Sequence, residues 1–257
     1  MDAIKPVKEF KAGKMTVKVY ENREQMGKAA AAELKKRMDE VLRSKDELRM
    51  IFAAAPSQNE TLEALQSYDV DWNRISAFHM DEYIGIDPEA PQSFGKFLRD
   101  AIFDRQDFKR VELIDPLAAN TGEECERYGK LINEKPVDVC ALGIGENGHL
   151  AFNDPPVADF NDPETMKVVT LDSVCRMQQV NDGCFSSLEL VPEKAFTLTI
   201  PVLLKCTHLI LSVPGKTKAR AVHKTVNDPV STKCPSTILR NYNAVMFIDK
   251  DAAAEIL

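Results

Sequence analysis

Short apolar runs alternate with charged, amphipathic segments along most of this chain. The run at residues 50–55 is continuous and ends at Pro56, which is typical of a strand buried on both faces of a parallel sheet. Ahead of it, Asn22 followed by Gln25 indicates a helix start. Further strands are predicted at residues 75–80, 111–114, 137–142, 209–213 and 244–248, and further helices near 92–103, 121–133 and 216–226. This alternation predicts an α/β fold, a three-layer αβα sandwich with a mostly parallel, Rossmann-like sheet.

Composition excludes several classes of function. The chain is 44% hydrophobic, and no repeat or linker interrupts its 257 residues, so we predict a single domain over residues 1–257. A net charge of -7 argues against a nucleic-acid partner, which needs a basic face. The N-terminus is charged, and no run of about 18 apolar residues occurs, so we expect no signal peptide, no membrane span and a cytoplasmic location. The six cysteines form no Cys-x-x-Cys pair, which favours reduced thiols.

The glycine-rich segment at residues 143–154 follows the predicted strand 137–142 and carries His149. A flexible turn brings backbone N–H groups and one imidazole to a small ligand. Its Gly-x-Gly-x-x-Gly pattern matches the dinucleotide fingerprint, but that motif requires a helix directly after the last glycine. Pro155 and Pro156 leave no room for one, so we do not predict a nucleotide cofactor. On its own, His149 fits a hydrogen-bonded structural histidine equally well.

A second candidate element is the lysine-bearing turn that begins at Gly215. A triphosphate-binding loop would need another glycine where Ile210 stands, so the cradle for a nucleotide is incomplete. A single phosphate group suits this segment better, because the segment combines a strand end, a glycine, two lysines and a helix start. Two solvated lysines on a helix surface are the alternative interpretation.

Asp81 and Glu82 come directly after the predicted strand 75–80, at the sheet edge where parallel sheets bind ligands. At least one carboxylate must face a pocket there, and partial burial would raise its pKa and make it a proton acceptor. Capping of a following turn is the alternative. We predict no metal, because the four histidines lack zinc-ligand spacing, and no covalent acyl chemistry, because no serine or cysteine sits in a nucleophile motif.

Taken together, these segments resemble the glucosamine-6-phosphate deaminase family. The resemblance is carried by Phe78-His79-Met80-Asp81-Glu82-Tyr83-Ile84-Gly85, Pro91-Gln92-Ser93-Phe94, the turn from Gly143 to Pro155, and Pro214-Gly215-Lys216-Thr217-Lys218-Ala219. It runs in the same order from about Val17 to the C-terminal end. The related 6-phosphogluconolactonases share the fold and the glycine turn, but they usually follow the histidine with Thr-Ala-Ser-Leu-Phe-Pro, where this chain has Leu-Ala-Phe-Asn-Asp-Pro.

The resemblance implies an isomerase/deaminase that converts glucosamine 6-phosphate, or a related hexosamine 6-phosphate, to fructose 6-phosphate and ammonia without a cofactor. Asp81 would move a proton between C2 and C1, and His149 would help to open the sugar ring. Lys218 would bind the phosphate with Ser57. The further candidates are Asn147 and Asp154 as partners of the histidine, and Gln58, Glu82, Gly145, Gly148 and Arg176 as substrate-binding residues.

This chain departs from the family pattern at several of these positions. Asn147 stands where an Asp is usual, and an amide cannot stabilise an imidazolium by charge. Asp154 replaces a Glu and is one methylene shorter, so it would supply that charge only if its loop moves inward. Residues 54–58 lack the usual glycines, and the arginine expected near Asp182 is absent, with Arg176 nearby as a possible substitute.

Two other functions fit the same pocket. One is a sugar-phosphate lactonase or ketose–aldose isomerase, and the other is a sugar-phosphate sensor that has lost deamination through the change at Asn147. A lactonase needs no base at C2, and a pure binder has no use for a carboxylate beside an imidazole. The presence of Asp81 therefore distinguishes a deaminase from both alternatives. The family often forms oligomers, and we expect that a homo-oligomer can form.

Overall fold

The computed structural model describes residues 4–257 and contains two sheets flanked by helices. The strands are β1 (Lys8–Ala12), β2 (Met15–Tyr20), β3 (Leu48–Phe52), β4 (Ile75–His79), β5 (Asp81–Tyr83), β6 (Arg110–Glu112), β7 (Val139–Leu142), β8 (Met166–Thr170), β9 (Lys194–Leu198), β10 (His208–Val213) and β11 (Ala244–Asp249). The helices are α1 (Arg23–Leu42), α2 (Asn59–Gln66), α3 (Phe94–Leu98), α4 (Thr121–Asn133), α5 (Ser173–Asn181), α6 (Ile200–Leu204) and α7 (Ala219–Asn227).

The large sheet has eight strands in the order β1-β2-β11-β10-β7-β3-β4-β6. Every neighbouring pair is parallel except β1 and β2, which form an antiparallel hairpin. From β3 the chain adds β4 and β6 on one side, then returns to β7 on the other side of β3 and continues outward through β10 and β11. The crossovers therefore diverge between β3 and β7, the position where open α/β sheets form a ligand crevice.

Helices cover both faces of this sheet. Along β3, Ile51 packs into one hydrophobic cluster, whereas Met50 and Phe52 pack into the other, as expected for side chains that alternate across a buried strand. The first cluster contains the buried face of α4 and the second that of α1. Asn22 caps α1, since its Oδ1 accepts a hydrogen bond from Gln25 N at 2.9 Å. The predicted three-layer α/β fold and mostly parallel sheet are confirmed.

Each of the six predicted strands is present, with boundaries that differ by one to three residues. The largest difference is at β3, which ends at Phe52 because residues 53–55 leave the sheet at the point of divergence. The predicted helix at 92–103 is α3 followed by a π-helical turn, Arg99–Phe103, and the helix at 216–226 begins as a 3-10 turn, Lys216–Lys218. Among residues 4–257, no helix has both the length and the apolar character needed to cross a membrane.

The second sheet is small and antiparallel, with the order β5-β9-β8. The sequence did not predict it. Only Met80 separates β4 from β5, so the chain leaves the large sheet and enters the small one within two residues. This abrupt change of sheet places Asp81 at the carboxyl end of β4, beside the divergence point between β3 and β7.

Candidate active site

A cavity of about 550 Å³, partly open to solvent, lies at the divergence point of the large sheet. The loops after four strands, together with α3 and α5, supply its walls. The polar lining residues are Ser57, Gln58, Asp81, His149, Gln178, Gln179, Asp182 and Lys218, and the apolar part of the lining includes Met80, Phe94, Ile144 and Phe152. The structure thus brings Asp81, His149 and Lys218 to one cavity, together with Ser57, Gln58 and Gly145.

Asp81 is buried and faces this cavity. Its carboxylate forms no hydrogen bond or ion pair with any residue that the structure describes. Burial, and to a lesser extent the neighbouring carboxylate of Glu82, raises the pKa of Asp81 well above its usual value. Once deprotonated, such a group is a stronger base than an exposed carboxylate.

Glu82 does not line the cavity, and its prediction as a substrate-binding residue needs correction. Successive side chains on β5 point to opposite faces, so Glu82 turns away from Asp81. Its carboxylate accepts hydrogen bonds from Ser93 Oγ and from the backbone N–H groups of Phe94 and Gly95, at 2.8 to 3.1 Å. Burial raises the pKa of Glu82, and these donors limit the increase. The residue ties β5 to the first turn of α3.

His149 has a carboxylate partner, and that partner is Asp154. The distance from His149 Nδ1 to Asp154 Oδ1 is 2.8 Å. Burial raises the pKa of Asp154, but the hydrogen bond and charge of His149, together with the hydrogen bond from Asn147, outweigh it and leave the pKa below its usual value. Despite its shorter side chain, Asp154 reaches the ring, so the loop already holds the inward position that this contact requires.

Asn147 does not contact the imidazole ring. Its Oδ1 accepts a hydrogen bond from the backbone N–H of His149 at 3.0 Å, and its Nδ2 donates to Asp154 Oδ1 at 2.9 Å. The amide therefore shapes the turn and orients Asp154. Neither Asn147 nor Asp154 lines the cavity, so both act on it through His149.

Two glycines permit the tight shape of this turn. A Cβ on Gly145 would lie 2.2 Å from His149 Cε1, so the ring packs against this residue only because it is glycine. Gly148 has φ +85°, and a Cβ there would meet Cys234 Sγ at 2.4 Å. Gly148 does not line the cavity, which makes its role conformational and corrects its prediction as a substrate contact. No helix follows it: residues 151 and 152 form a turn, as the prolines predicted.

The opposite end of the cavity carries its positive charge. Lys218 is 4% exposed, and its ammonium forms no hydrogen bond or ion pair within residues 4–257. Burial lowers its pKa, and the charges of Asp182 and Glu146 partly offset this effect. Asp249 fixes the turn that carries Lys218, because its carboxylate accepts the Gly215 N–H at 3.0 Å. A buried, unpaired ammonium in a cavity is suited to an anionic ligand.

Hydrogen-bond donors from the loop after β3 complete the end of the cavity that holds Lys218. Ser57 and Gln58 lie in a 3-10 turn, Pro56–Gln58, directly before α2. Gln58 Nε2 donates to Ser57 Oγ at 3.1 Å and to the backbone oxygen of Ser212 at 3.3 Å, which bridges the loop after β3 to β10. The hydroxyl of Ser57 retains a proton to donate to a ligand.

Helix α5 forms a wall of the cavity that the sequence analysis missed. It presents Gln178 and Gln179, and Asp182 directly follows it. Gln178 Oε1 accepts from the backbone N–H of Glu146 at 2.8 Å, so this helix contacts the glycine turn. Cys175, Gln178 and Gln179 form the buried side of α5, and buried polar residues at helical spacing are the signal that could have identified this wall.

Arg176 is on the same helix but points elsewhere, which corrects its prediction as a substrate-binding residue. Its Nη2 donates to the backbone oxygens of Leu188 and Val191, both at 2.8 Å. The guanidinium therefore anchors the segment after α5. It does not line the cavity as a substitute for the arginine that the family pattern places near Asp182.

One cluster in the described residues has donor atoms of the kinds that bind metal. A ring nitrogen of His149, a carboxylate oxygen of Asp154 and Sγ of Cys175 lie within 4.8 Å of one another. The 2.8 Å separation of Nδ1 and Oδ1 is that of a hydrogen bond, whereas two ligands of a tetrahedral zinc ion with bonds near 2.0 Å lie roughly 3.3 Å apart. The contacts therefore fit a shared proton better than a metal ion.

Comparison with known proteins relates this chain to sugar-phosphate enzymes. The family model described as glucosamine-6-phosphate isomerases/6-phosphogluconolactonase matches residues 21–247. A glucosamine-6-phosphate deaminase of Lactobacillus delbrueckii subsp. bulgaricus is 32% identical over 243 residues, which cover 95% of this chain and 100% of the relative. One of Listeria monocytogenes is 34% identical over 212 residues, covering 82% of this chain and 88% of the relative.

Solved structures of two sugar-phosphate enzymes have the same fold. A monomeric glucosamine-6-phosphate deaminase superposes with a TM-score of 0.85 at 28% identity, covering 93% of this chain and 99% of the other. A 6-phosphogluconolactonase of Thermotoga maritima gives a TM-score of 0.75 at 19% identity, covering 91% and 99%, and shares the fold. The chain therefore belongs to the family of glucosamine-6-phosphate isomerases and 6-phosphogluconolactonases.

Proposed function

We propose that this protein is an aminosugar-phosphate isomerase/deaminase that converts glucosamine 6-phosphate, or a related hexosamine 6-phosphate, to fructose 6-phosphate and ammonia. One observation carries the proposal: Asp81, His149 and Lys218 line the same cavity. Relatives that are 32% and 34% identical to this chain carry the name glucosamine-6-phosphate deaminase. A six-carbon phosphate ester can reach a base, an imidazole and an ammonium only if they share one pocket.

The proton chemistry belongs to His149 and Asp81. His149 moves a proton between the ring oxygen and O1, which opens the sugar to its aldehyde. Asp81 then takes the weakly acidic proton from C2 and returns it to C1, while O1 gains the proton that the nitrogen loses, giving the imine of fructose 6-phosphate. Water adds to C2 of this imine, the C–N bond breaks, and ammonia leaves. These steps consume one water molecule and need neither a metal nor an organic cofactor.

Asp154 supports this role of His149. Hydrogen-bonded to Nδ1, its carboxylate selects the tautomer whose Nε2 is free to accept a proton, and its charge stabilises the imidazolium. At the other end, Lys218 and the hydroxyl of Ser57 bind the phosphate, and Gln58 holds Ser57 in place. We also propose a single domain, a cytoplasmic location and a capacity to form homo-oligomers.

The test compares ammonia release from glucosamine 6-phosphate in the wild type, Lys218→Met and Lys216→Met. Lys216 is an exposed lysine on the same turn and serves as the matched control. We expect Lys218→Met to raise KM at least tenfold, because a buried charge–phosphate contact is lost, whereas Lys216→Met changes KM by less than about twofold.

Free glucosamine, which lacks the phosphate, is expected to be a poor substrate of the wild type. Three outcomes would contradict the proposal. They are hydrolysis of 6-phosphogluconolactone without ammonia release from hexosamine phosphates, thermal stabilisation by glucosamine 6-phosphate without turnover, and equal effects of the two lysine substitutions.

A further inference from the structure

A buried thiol lies behind the His149–Asp154 pair. Cys175 is in the first turn of α5 and is 1% exposed. Its Sγ, a ring nitrogen of His149 and a carboxylate oxygen of Asp154 lie within 4.8 Å of one another. The proposed reaction uses the imidazole and the carboxylate but gives the thiol no part.

One oxygen of Asp154 lacks a nitrogen or oxygen donor. Oδ1 accepts from Asn147 Nδ2 at 2.9 Å and contacts His149 Nδ1 at 2.8 Å. Oδ2 is fully buried and has no hydrogen-bond partner among residues 4–257. An unsatisfied buried carboxylate oxygen costs free energy, so a donor at this position stabilises the native loop. The S–H group of Cys175 lies beside this carboxylate and is a weak hydrogen-bond donor.

We propose, on the basis of the proposed function, that Cys175 is a positioning residue whose thiol donates a hydrogen bond to Asp154 Oδ2 and so holds this carboxylate against His149. Burial, together with the charges of Asp154, Asp172 and Asp81, raises the pKa of the Cys175 thiol. The group therefore remains protonated and keeps its donor at neutral pH. Because α5 also carries Gln178 and Gln179, one helix both lines the cavity and orients the acid partner of its histidine.

The test is an NMR pH titration of His149 in the free protein, combined with steady-state kinetics. The chain has four histidines, and the His149→Asn variant identifies the signal by its loss. In Cys175→Ala the carboxylate loses the donor that holds it, so its contact with the imidazolium is weakened. We therefore expect the His149 midpoint to fall by about half a pH unit or more, and kcat to fall roughly three- to tenfold with KM nearly unchanged.

Two variants make this test specific. Cys175→Ser keeps a donor and is expected to restore the midpoint to within about 0.2 units of the wild type. Cys140→Ala removes a different fully buried thiol, which lies on β7 beside Cys206, and is expected to leave the midpoint unchanged.

The proposal would be overturned by an unchanged midpoint in Cys175→Ala, or by an equal shift in the serine and alanine variants. Turnover that depends on added Zn²⁺ and is lost in Cys175→Ala would overturn it in favour of a metal ligand. If the wild type releases no ammonia, the proposed function fails instead. The titration needs no substrate, so it still decides whether the thiol acts on the pair.

Discussion

Asp81 and Glu82 are adjacent carboxylates with opposite surroundings. On β5 their side chains alternate, so Asp81 faces the cavity without a hydrogen-bond donor in the described residues, whereas Glu82 accepts several donors at the start of α3. Both groups are buried, but only the first keeps lone pairs available to a substrate. The change of sheet at Met80 therefore decides which of two identical chemical groups is able to act as a base.

Asp81 is predicted to reduce stability at neutral and alkaline pH. Its pKa is raised in the folded state, so the folded protein holds this proton more tightly than the unfolded chain does. Near pH 4 the side chain is protonated and this proton favours the folded state. That contribution to the free energy of unfolding is lost as the pH rises through the raised pKa of Asp81. Asp81→Asn should then increase Tm at pH 8 by several degrees, at roughly 2–4 °C per kcal/mol, and change it little near pH 4.

The measurement is thermal unfolding at both pH values. Asp107→Asn removes an exposed carboxylate and serves as the matched control, with little change expected at either pH. Equal stabilisation by Asp81→Asn at both values would show that desolvation of the Asp81 carboxylate is not the cause.

Asn147 gives the second prediction for a single residue. An Asp at this position would place a carboxylate about where the amide nitrogen now donates to Asp154 Oδ1 at 2.9 Å. Two carboxylates this close raise the pKa of one of them, so the pair loses charge that stabilises the imidazolium. We expect Asn147→Asp to lower kcat roughly tenfold, although an Asp is usual in the family.

Ammonia release under saturating substrate tests this, with Asn161→Asp as an exposed control. An increase in kcat would mean that Asp154 does not act as the charged partner of His149.

At the scale of elements, α5 positions an acidic residue in the same cavity as Lys218. Asp182 follows this helix, lines the cavity and influences the pKa of Lys218. A carboxylate near a phosphate site opposes binding of the anion. Asp182→Asn is therefore expected to tighten the binding of inorganic phosphate about three- to tenfold at low salt, with a smaller gain at high salt.

Calorimetric titration with inorganic phosphate measures this effect. Glu189→Gln removes an exposed acid in the same segment and should have little influence. Unchanged or weaker binding in Asp182→Asn would show that the carboxylate does not face the bound anion.

Elements differ in how well the sequence predicts them. The helix at residues 121–133 is predicted with its observed limits, because its cap and periodicity are local signals. The strand β5 has three residues, too few for alternation to show, and the small sheet pairs it with β9, more than 100 positions later. Helix α5 was missed because its buried side is partly polar, and those polar residues line the cavity.

At the scale of the whole molecule, the order of the strands brings the site together. Loops after β3 and β7 are far apart in sequence but adjacent at the divergence point, and those after β4 and β10 complete the cavity. The general rule for parallel sheets predicted this meeting. It could not predict which side chains turn inward: Glu82, Gly148 and Arg176 do not line the cavity, because local hydrogen bonds or conformational needs hold them elsewhere.

The most direct test of the central claim is proton transfer by Asp81. Wild-type protein is incubated with glucosamine 6-phosphate in D₂O, and deuterium in the recovered substrate and product is measured by NMR. We predict deuterium at C2 of the substrate and at C1 of fructose 6-phosphate. Incorporation should disappear in Asp81→Asn and persist in a folded Glu82→Gln variant, because that carboxylate faces away from the cavity. Deuterium incorporation that continues in Asp81→Asn would contradict the account.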